Sequence, residues 1–352
     1  MTGRERVLRT LNRQQTDYAP TMEWIINSDV MRAICGTGDQ VEFVQKMDMD
    51  AVCVSLNNKN KSATKDGREI VDEWGVTRIT YDEYPMPVGF PIKEMKDFEQ
   101  YEVPDPDAPY RFDNIKAALK AVGDERCVVA RVKDVVSMPR DLMSFEEFLA
   151  NLYLDPDLVT ALMKMSCDYS CRICEHLKDL GVEVIVLGDD IANNNALLMS
   201  PPMYRELVLP HFAKLVGHAK KLGLKVIKHS DGDLNSIVDN LVESGIDCLD
   251  PIDKRGNMDM KALKAKYGNR IALKGNVDCV STLVDQPLHK VRQETAQTIL
   301  AGGIGGGLIL SSSNSIHSGV SPENWKYFLE IRKELSRTPL DIDKLTKIAA
   351  GE

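Results

Sequence analysis

The sequence predicts an α/β chain closed into a (β/α)8 TIM barrel, with a cap segment inserted between the second and third strands. Three observations carry this expectation. Short apolar, β-branched runs alternate with longer amphipathic segments, as a parallel sheet covered by helices requires. Eight such runs occur, at residues 19–24, 51–56, 127–132, 182–187, 224–229, 246–250, 271–274 and 307–311. Several end abruptly in ionisable groups, most clearly Val182-Glu-Val-Ile-Val-Leu-Gly-Asp-Asp190 and Leu224-Lys-Val-Ile-Lys-His-Ser-Asp-Gly232. A strand buried on both faces reads as a continuous apolar run, so the polar groups sit at its carboxyl end, where barrel active sites are built. An open doubly wound sheet is the alternative fold.

The elements follow in order. The opening Met1-Thr-Gly-Arg-Glu-Arg-Val-Leu8 is charged and helical in pattern, unlike a secretory signal. After the second run the rhythm breaks. Glu69-Ile-Val-Asp-Glu-Trp-Gly-Val-Thr-Arg-Ile-Thr-Tyr-Asp82 reads as a hairpin turning near Gly75, followed by Tyr84-Pro-Met-Pro-Val-Gly-Phe-Pro91 and a second Pro-rich stretch ending at Pro109. An excursion of this length, about residues 60–115, is expected to cap the barrel mouth. The later runs are separated by helical patterns at 156–180, 202–222, 234–244, 258–267 and 291–301, and Gly223, Gly245 and Gly268 stand where C-caps belong. No linker separates independent cores, so residues 1–352 are expected to form one domain.

Composition sets further bounds. A net charge of −9 and a pI near 5.3 offer no basic stripe for nucleic acid. No run of apolar residues is long enough to span a bilayer, and a cytoplasmic location is expected. Eight cysteines without small-domain spacing then read as reduced thiols. Cys167, Cys171 and Cys174 have the spacing of an iron–sulfur motif, but positions i, i+4 and i+7 of an unbroken helical pattern describe one buried helix face. Ala301-Gly-Gly-Ile-Gly-Gly-Gly307 follows a helix and opens a strand, the reverse of a phosphate loop. It is expected as a turn at the opposite end of the barrel. His176, His211, His218 and His289 lie in or beside helices and are read as surface or packing residues.

The candidates for chemistry are the polar residues at strand ends: Glu23, Asp189, Asp190, His229, Ser230, Asp231, Asp250, Asn276, Asp278 and Ser311 through His317. Some of these residues would serve equally as N-caps of following helices, Asp278 among them, as would the nearby Asp233. His229, ending an apolar run and flanked by Ser-Asp-Gly, reads as functional.

Gly188-Asp-Asp190, Ser200-Pro-Pro-Met-Tyr-Arg-Glu-Leu-Val-Leu-Pro210, His229-Ser-Asp-Gly232, Gly275-Asn-Val-Asp278 and Ser321-Pro-Glu-Asn324, with Arg4 through Arg13 ahead of Asp17-Tyr-Ala-Pro20, resemble the uroporphyrinogen decarboxylase superfamily in order and spacing. The resemblance covers nearly the whole chain and implies a (β/α)8 barrel. Its decarboxylase branch carries an arginine-rich segment after the first strand, where this chain has Trp24-Ile-Ile-Asn-Ser-Asp29. A pocket opening onto Glu23, Asp189, Asp190 and Asp231 would repel a polycarboxylate. The other branch contains zinc-dependent methyltransferases that work with a corrinoid (cobalamin) carried by a partner protein. Its thiol-methylating members use His-x-Cys and a later Cys, and this chain has His229-Ser-Asp231 and no cysteine in Ser311-Ser-Ser-Asn-Ser-Ile316. Members that demethylate ethers or amines use acidic residues and a histidine instead.

The resemblance therefore implies a Zn2+ site at Asp190, Glu206 and His229, with Asp189 and Asp231 as catalytic residues, as reserve ligands, or as groups orienting the imidazole. Zinc held by oxygen and imidazole is a stronger Lewis acid than zinc held by thiolates. Glu23, Trp24, Tyr84, Asn276, Ser311, Asn314 and His317 are the expected substrate contacts. The expected reaction moves methyl from an aryl methyl ether or methylamine to the corrinoid protein, with a homodimer permitted. The alternatives are a cofactor-independent porphyrinogen decarboxylase and a non-catalytic barrel that binds a small ligand.

Overall fold

The computed structural model describes residues 1–80 and 85–352. Its strands are β1 Ala51–Ser55, β2 Asn60–Ala63, β3 Glu69–Asp72, β4 Thr77–Thr80, β5 Pro85–Gly89, β6 Cys127–Lys133, β7 Val184–Gly188, β8 Lys225–His229, β9 Cys248–Asp250, β10 Ala272–Val277 and β11 Leu308–Ser312. Seven of them form one curled parallel sheet in the order β1-β6-β7-β8-β9-β10-β11. This is the α/β, barrel-like arrangement that the alternating runs predict.

Residues 19–24, expected as a strand, run between the two edges of that sheet without forming a ladder. The carbonyl of Pro20 accepts from the amide of Leu310 at 2.8 Å, and that of Thr21 from the amide of Asp50 at 3.1 Å. Pro20 has no amide to donate, and the amide of Thr21 goes to the Asp50 carboxylate at 2.8 Å. The apolar run is there, but Pro20 lacks an amide and that of Thr21 goes to a side chain.

The interior of the curled sheet is small and apolar, built from residues such as Cys53, Val129, Val186, Ile227 and Ala272. Val7 and Leu11 of the first helix, Gly3–Leu11, pack into the same cluster. A larger apolar layer lies between the sheet and the surrounding helices. Cys167, Cys171 and Cys174 are buried in that layer on the unbroken helix Pro156–Asp179, and the glycines after helix Leu288–Gly302 make the turn into β11. Gly223 and Gly245 end helical segments at φ +78° and +95°, which a residue with a Cβ adopts only at a cost.

Strands β2 to β5 form a second, antiparallel sheet inserted between β1 and β6. The expected hairpin is its centre: Val71 pairs with Thr77, and Gly75 turns at φ +78°. Its Pro-rich neighbour is itself a strand, and β5 tolerates Pro85 and Pro87 because it lies at the edge. Arg78 ties this sheet to the helix Ser137–Met143 through Asp141 at 2.9 Å. Among the described residues no helix is long and apolar enough to cross a membrane.

Candidate functional site at the carboxyl ends of the strands

Side chains alternate across a strand, so counting by two from an interior residue identifies what else points inward. From Ile227 the next is His229, from Cys248 it is Asp250, and from Ala272 it is Lys274. The register places Gly188 opposite His229, and His229 opposite Asp250. Lys228 and Asp189 fall on the other parity, facing the helices.

His229 is 4% exposed. Its Nδ1 lies 2.8 Å from Oδ2 of Asp250, whose Oδ1 accepts from Nζ of Lys274 at 2.6 Å. Burial alone would push the Asp250 carboxyl up, but Lys274 and His229 bring it below the usual carboxylate value. An ionised Asp250 holds a proton on Nδ1, so that in the neutral ring Nε2 is the lone-pair nitrogen. Nε2 looks toward Oδ1 of Asp231 at 3.9 Å. That oxygen is buried with no hydrogen-bond partner among the described residues. The other Asp231 oxygen accepts from Nδ2 of Asn314. Burial raises the Asp231 carboxyl to about 7, with Asp190, Asp253 and Asp250 adding to the rise and His229 opposing it. Asp190 accepts from the amide of Asp231 at 3.2 Å.

One donor atom from each of Asp190, His229 and Asp231 lies within 4.8 Å of the others. A fixed lone-pair imidazole, a carboxylate oxygen left unsatisfied where burial makes that costly, and a second carboxylate fit the N/O donor set of a divalent zinc ion. Asp250 behind the imidazole is the outer carboxylate such a ligand usually carries.

The indole of Trp24 stacks on the imidazole, with centroids 4.3 Å apart and planes within 3°. Gly188 makes room for it: a Cβ there would sit 2.5 Å from the indole edge. Trp24 and Gly188 also line a cavity of about 560 Å³ between the ends of β1, β6 and β7 and the antiparallel sheet.

The other expected residues are distributed unevenly. Asn314 joins the group through Asp231. Glu206 does not: it is exposed in a π-helical turn, Tyr204–Val208, and Asp231 stands in the group instead. Asp189 faces the wall, accepting from the amide of Val136 at 2.7 Å, and burial together with Asp134 raises it to about 6. Glu23 is buried against the amide and hydroxyl of Ser312, at 3.1 and 2.6 Å. Its carboxyl is pushed up to about 7 by burial, with Lys274 and Ser312 opposing. Ser311 is buried and donates to the carbonyl of Ser312. Asn276 turns to the carbonyl of Ile252 and the hydroxyl of Thr298. His317 Nε2 lies 2.9 Å from the carbonyl of Cys279. Tyr84 lies outside the described residues. Sequence reasoning leaves Asp250 without a role and does not single out Lys274; the available signal was a lysine inside the apolar run that follows Ile271.

Residues 75–335 match the family model described as uroporphyrinogen decarboxylase (URO-D). Methylcobamide:CoM methyltransferase MtaA of Methanosarcina barkeri is 25% identical over 226 residues, covering 64% of this chain and 63% of the relative. The chain thus spans rather less than two thirds of that relative's length. Uroporphyrinogen decarboxylase of Psychromonas ingrahamii is 23% identical over 262 residues, 70% of each chain. Among solved structures, a methyltransferase from Methanosarcina mazei superposes with a TM-score of 0.75 at 22% identity, over 95% of this chain and 99% of that one. This last likeness concerns the fold.

Proposed function

The chain belongs to the uroporphyrinogen decarboxylase family, and we propose that within it this protein is a zinc-dependent methyltransferase serving a corrinoid protein. It takes a methyl group from a small donor of the aryl methyl ether or methylamine class and passes it to the corrinoid's cobalt. The observation that carries this reading is the Asp190–His229–Asp231 group with Asp250 behind it. The unsatisfied Oδ1 of Asp231 and the oriented imidazole present two donor atoms to one point, as a metal site needs. The methylcobamide:CoM relatives support its corrinoid-linked part.

His229, Asp190 and Asp231 would hold the zinc. When bound, it supplies a Lewis acid that takes up charge on the departing group. Lys274 keeps Asp250 ionised, and Asp250 keeps the proton on Nδ1 of His229 so that Nε2 stays a donor. Asn314 fixes one oxygen of Asp231 and leaves the other to the group. Trp24 covers one face of the imidazole and excludes water from it.

In this reading residues 1–352 are one cytoplasmic domain. Residues 19–24 act as the eighth stave, and residues 60–115 cap the mouth that admits the corrinoid protein. The test is to mix zinc-loaded protein with reduced cobalamin and a panel of methoxylated aromatics and methylamines, following methylcobalamin by its visible spectrum. Methylcobalamin formation with any of these donors is expected. Carbon dioxide released from uroporphyrinogen, with no cobalt methylated by any donor, would move the protein to the decarboxylase branch.

A further inference from the structure

The 560 Å³ cavity and the carboxylate group meet at one side chain, Trp24, yet their linings differ in charge. The site beyond Trp24 holds Asp190 and Asp231. The cavity is lined by four cationic residues, Arg78, Arg111, Arg131 and Lys133, and by two carboxylates, Asp72 and Asp141. Arg111 is paired with Glu73 at 2.7 Å and Lys133 with Asp141 at 2.9 Å, so the excess positive charge is carried by the Arg78, Arg131 and Lys133 side. Its volume suits a small organic ligand. Its apolar walls combine aliphatic side chains with three aromatic ones: Trp74 meets Tyr169 edge-on with centroids 4.9 Å apart, and Trp24 supplies the wall toward His229.

The cationic side also has hydrogen-bond donors to give. Arg78 uses Nε for Asp72 and Nη2 for Asp141, each at 2.9 Å. Its Nη1, with two N–H groups, has no such partner among the described residues, and a guanidinium offers a fork suited to a carboxylate. The guanidinium carbon of Arg131 lies 5.5 Å from the Trp24 ring centre, and the imidazole of His229 lies 4.3 Å from it. One indole therefore touches both the cationic lining and the candidate metal ligand.

We propose that this cavity is the donor's pocket, and that it selects a planar aromatic methyl ether carrying one carboxylate. The carboxylate sits among Arg78, Arg131 and Lys133, the ring lies along Trp24 and Trp74, and the ether end points past Trp24 toward Asp190, His229 and Asp231. This rests on the methyltransferase reading and narrows it. A methylammonium donor would meet like charge in the cavity. A donor with several carboxylates would carry some of them to Asp190 and Asp231. Only a ligand with separated anionic and uncharged ends matches both regions.

The test measures binding to the zinc-loaded full chain by calorimetry, with no corrinoid present so that nothing turns over. The probes are 4-methoxybenzoate, methoxybenzene and tetramethylammonium. 4-Methoxybenzoate should bind at least tenfold tighter than methoxybenzene, and tetramethylammonium should not compete. Lys133→Gln, at an exposed position that leaves folding intact, and Arg131→Gln should each weaken 4-methoxybenzoate several-fold while leaving methoxybenzene unchanged. Equal binding of the charged and uncharged ethers, preference for the cation, no binding of 4-methoxybenzoate, or indifference to both substitutions would overturn the proposal. The two readings fail separately. Carboxylate selectivity with no methylation of reduced cobalamin would remove the methyltransferase reading and keep the pocket's ligand class. Methylation from every donor alike would do the opposite.

Discussion

The imidazole of His229 lies flat against the indole of Trp24, centroids 4.3 Å apart, while Asp250 grips its Nδ1 edge at 2.8 Å. The stack fixes the plane of the ring, and the carboxylate fixes its rotation and its tautomer. An aromatic stack of this kind contributes about 0.5–1.5 kcal/mol beyond the area it buries. Nε2 is left directed at Asp231, so the donor is oriented before any ion arrives.

That relationship makes Asp250 a positioning residue with a measurable effect. Asp250→Asn should weaken zinc binding by roughly 10–100-fold, as loss of an outer carboxylate does in other zinc sites. It should also change the visible spectrum of the cobalt(II)-substituted protein. His229→Ala should abolish metal binding and activity together. An active, metal-free His229→Ala protein would end the zinc reading.

Which carboxylates complete the site can be decided by a pair of substitutions. Asp231→Asn should lower the metal content of purified protein and weaken zinc binding at least tenfold. Glu206→Gln, on an exposed turn outside the group, should leave both unchanged. The reverse result, measured by elemental analysis and competition with a chelator, would restore Glu206 as a ligand.

Gly188 is where a single methyl group should disturb the stack. Its Cβ would approach Cη2 of Trp24 to 2.5 Å, a contact that forces the indole to move. Gly188→Ala should cost about 1–3 kcal/mol in stability, the usual range for overpacking. Tryptophan fluorescence should shift as the ring leaves His229. An unchanged melting temperature and spectrum would mean that the strand end yields and the indole does not.

Stability should depend on pH in a direction set by buried acids. The folded values of Glu23 and Asp231 rise to about 7 and that of Asp189 to about 6, from ordinary values of 4.5 for Glu and 3.8 for Asp. Between those limits the folded protein holds more protons than the unfolded chain, so its stability falls as pH rises. Metal-free protein should therefore melt lower at pH 8 than at pH 5. Added zinc should raise the melting temperature more at pH 8, because Asp231, its proposed ligand, must be ionised to bind it. Asp231→Asn should flatten the pH slope; a slope unchanged in that variant would place the titration elsewhere.

Much of the architecture is local and so could be read along the chain. The runs of Val, Ile and Leu in 182–187 and 224–229, the glycines at 223 and 245, and the hairpin around Gly75 each act within a few residues. The same holds for the polar clusters that end β7 and β8, since only a strand's end reaches the rim. The first expected strand makes no ladder for two reasons, one already in the sequence, the missing amide of Pro20, and one visible only in three dimensions. The amide of Thr21 found the carboxylate of Asp50, twenty-nine residues away in the chain.

By itself, then, the sequence determined that parallel strands would carry His229, Asp190 and Asp231 to one rim, because burial on both faces demands apolar runs with polar ends. It could not say which of Asp189 and Asp190 points inward. A strand apolar on both faces shows no alternation from which to read its parity, and register with β8 settles it. Nor could it pair His229 with Asp250 and Lys274, or set Glu206 apart from the group. Those relationships depend on how neighbouring strands and one π-helical turn are placed in space, and that placement comes only from packing the whole chain.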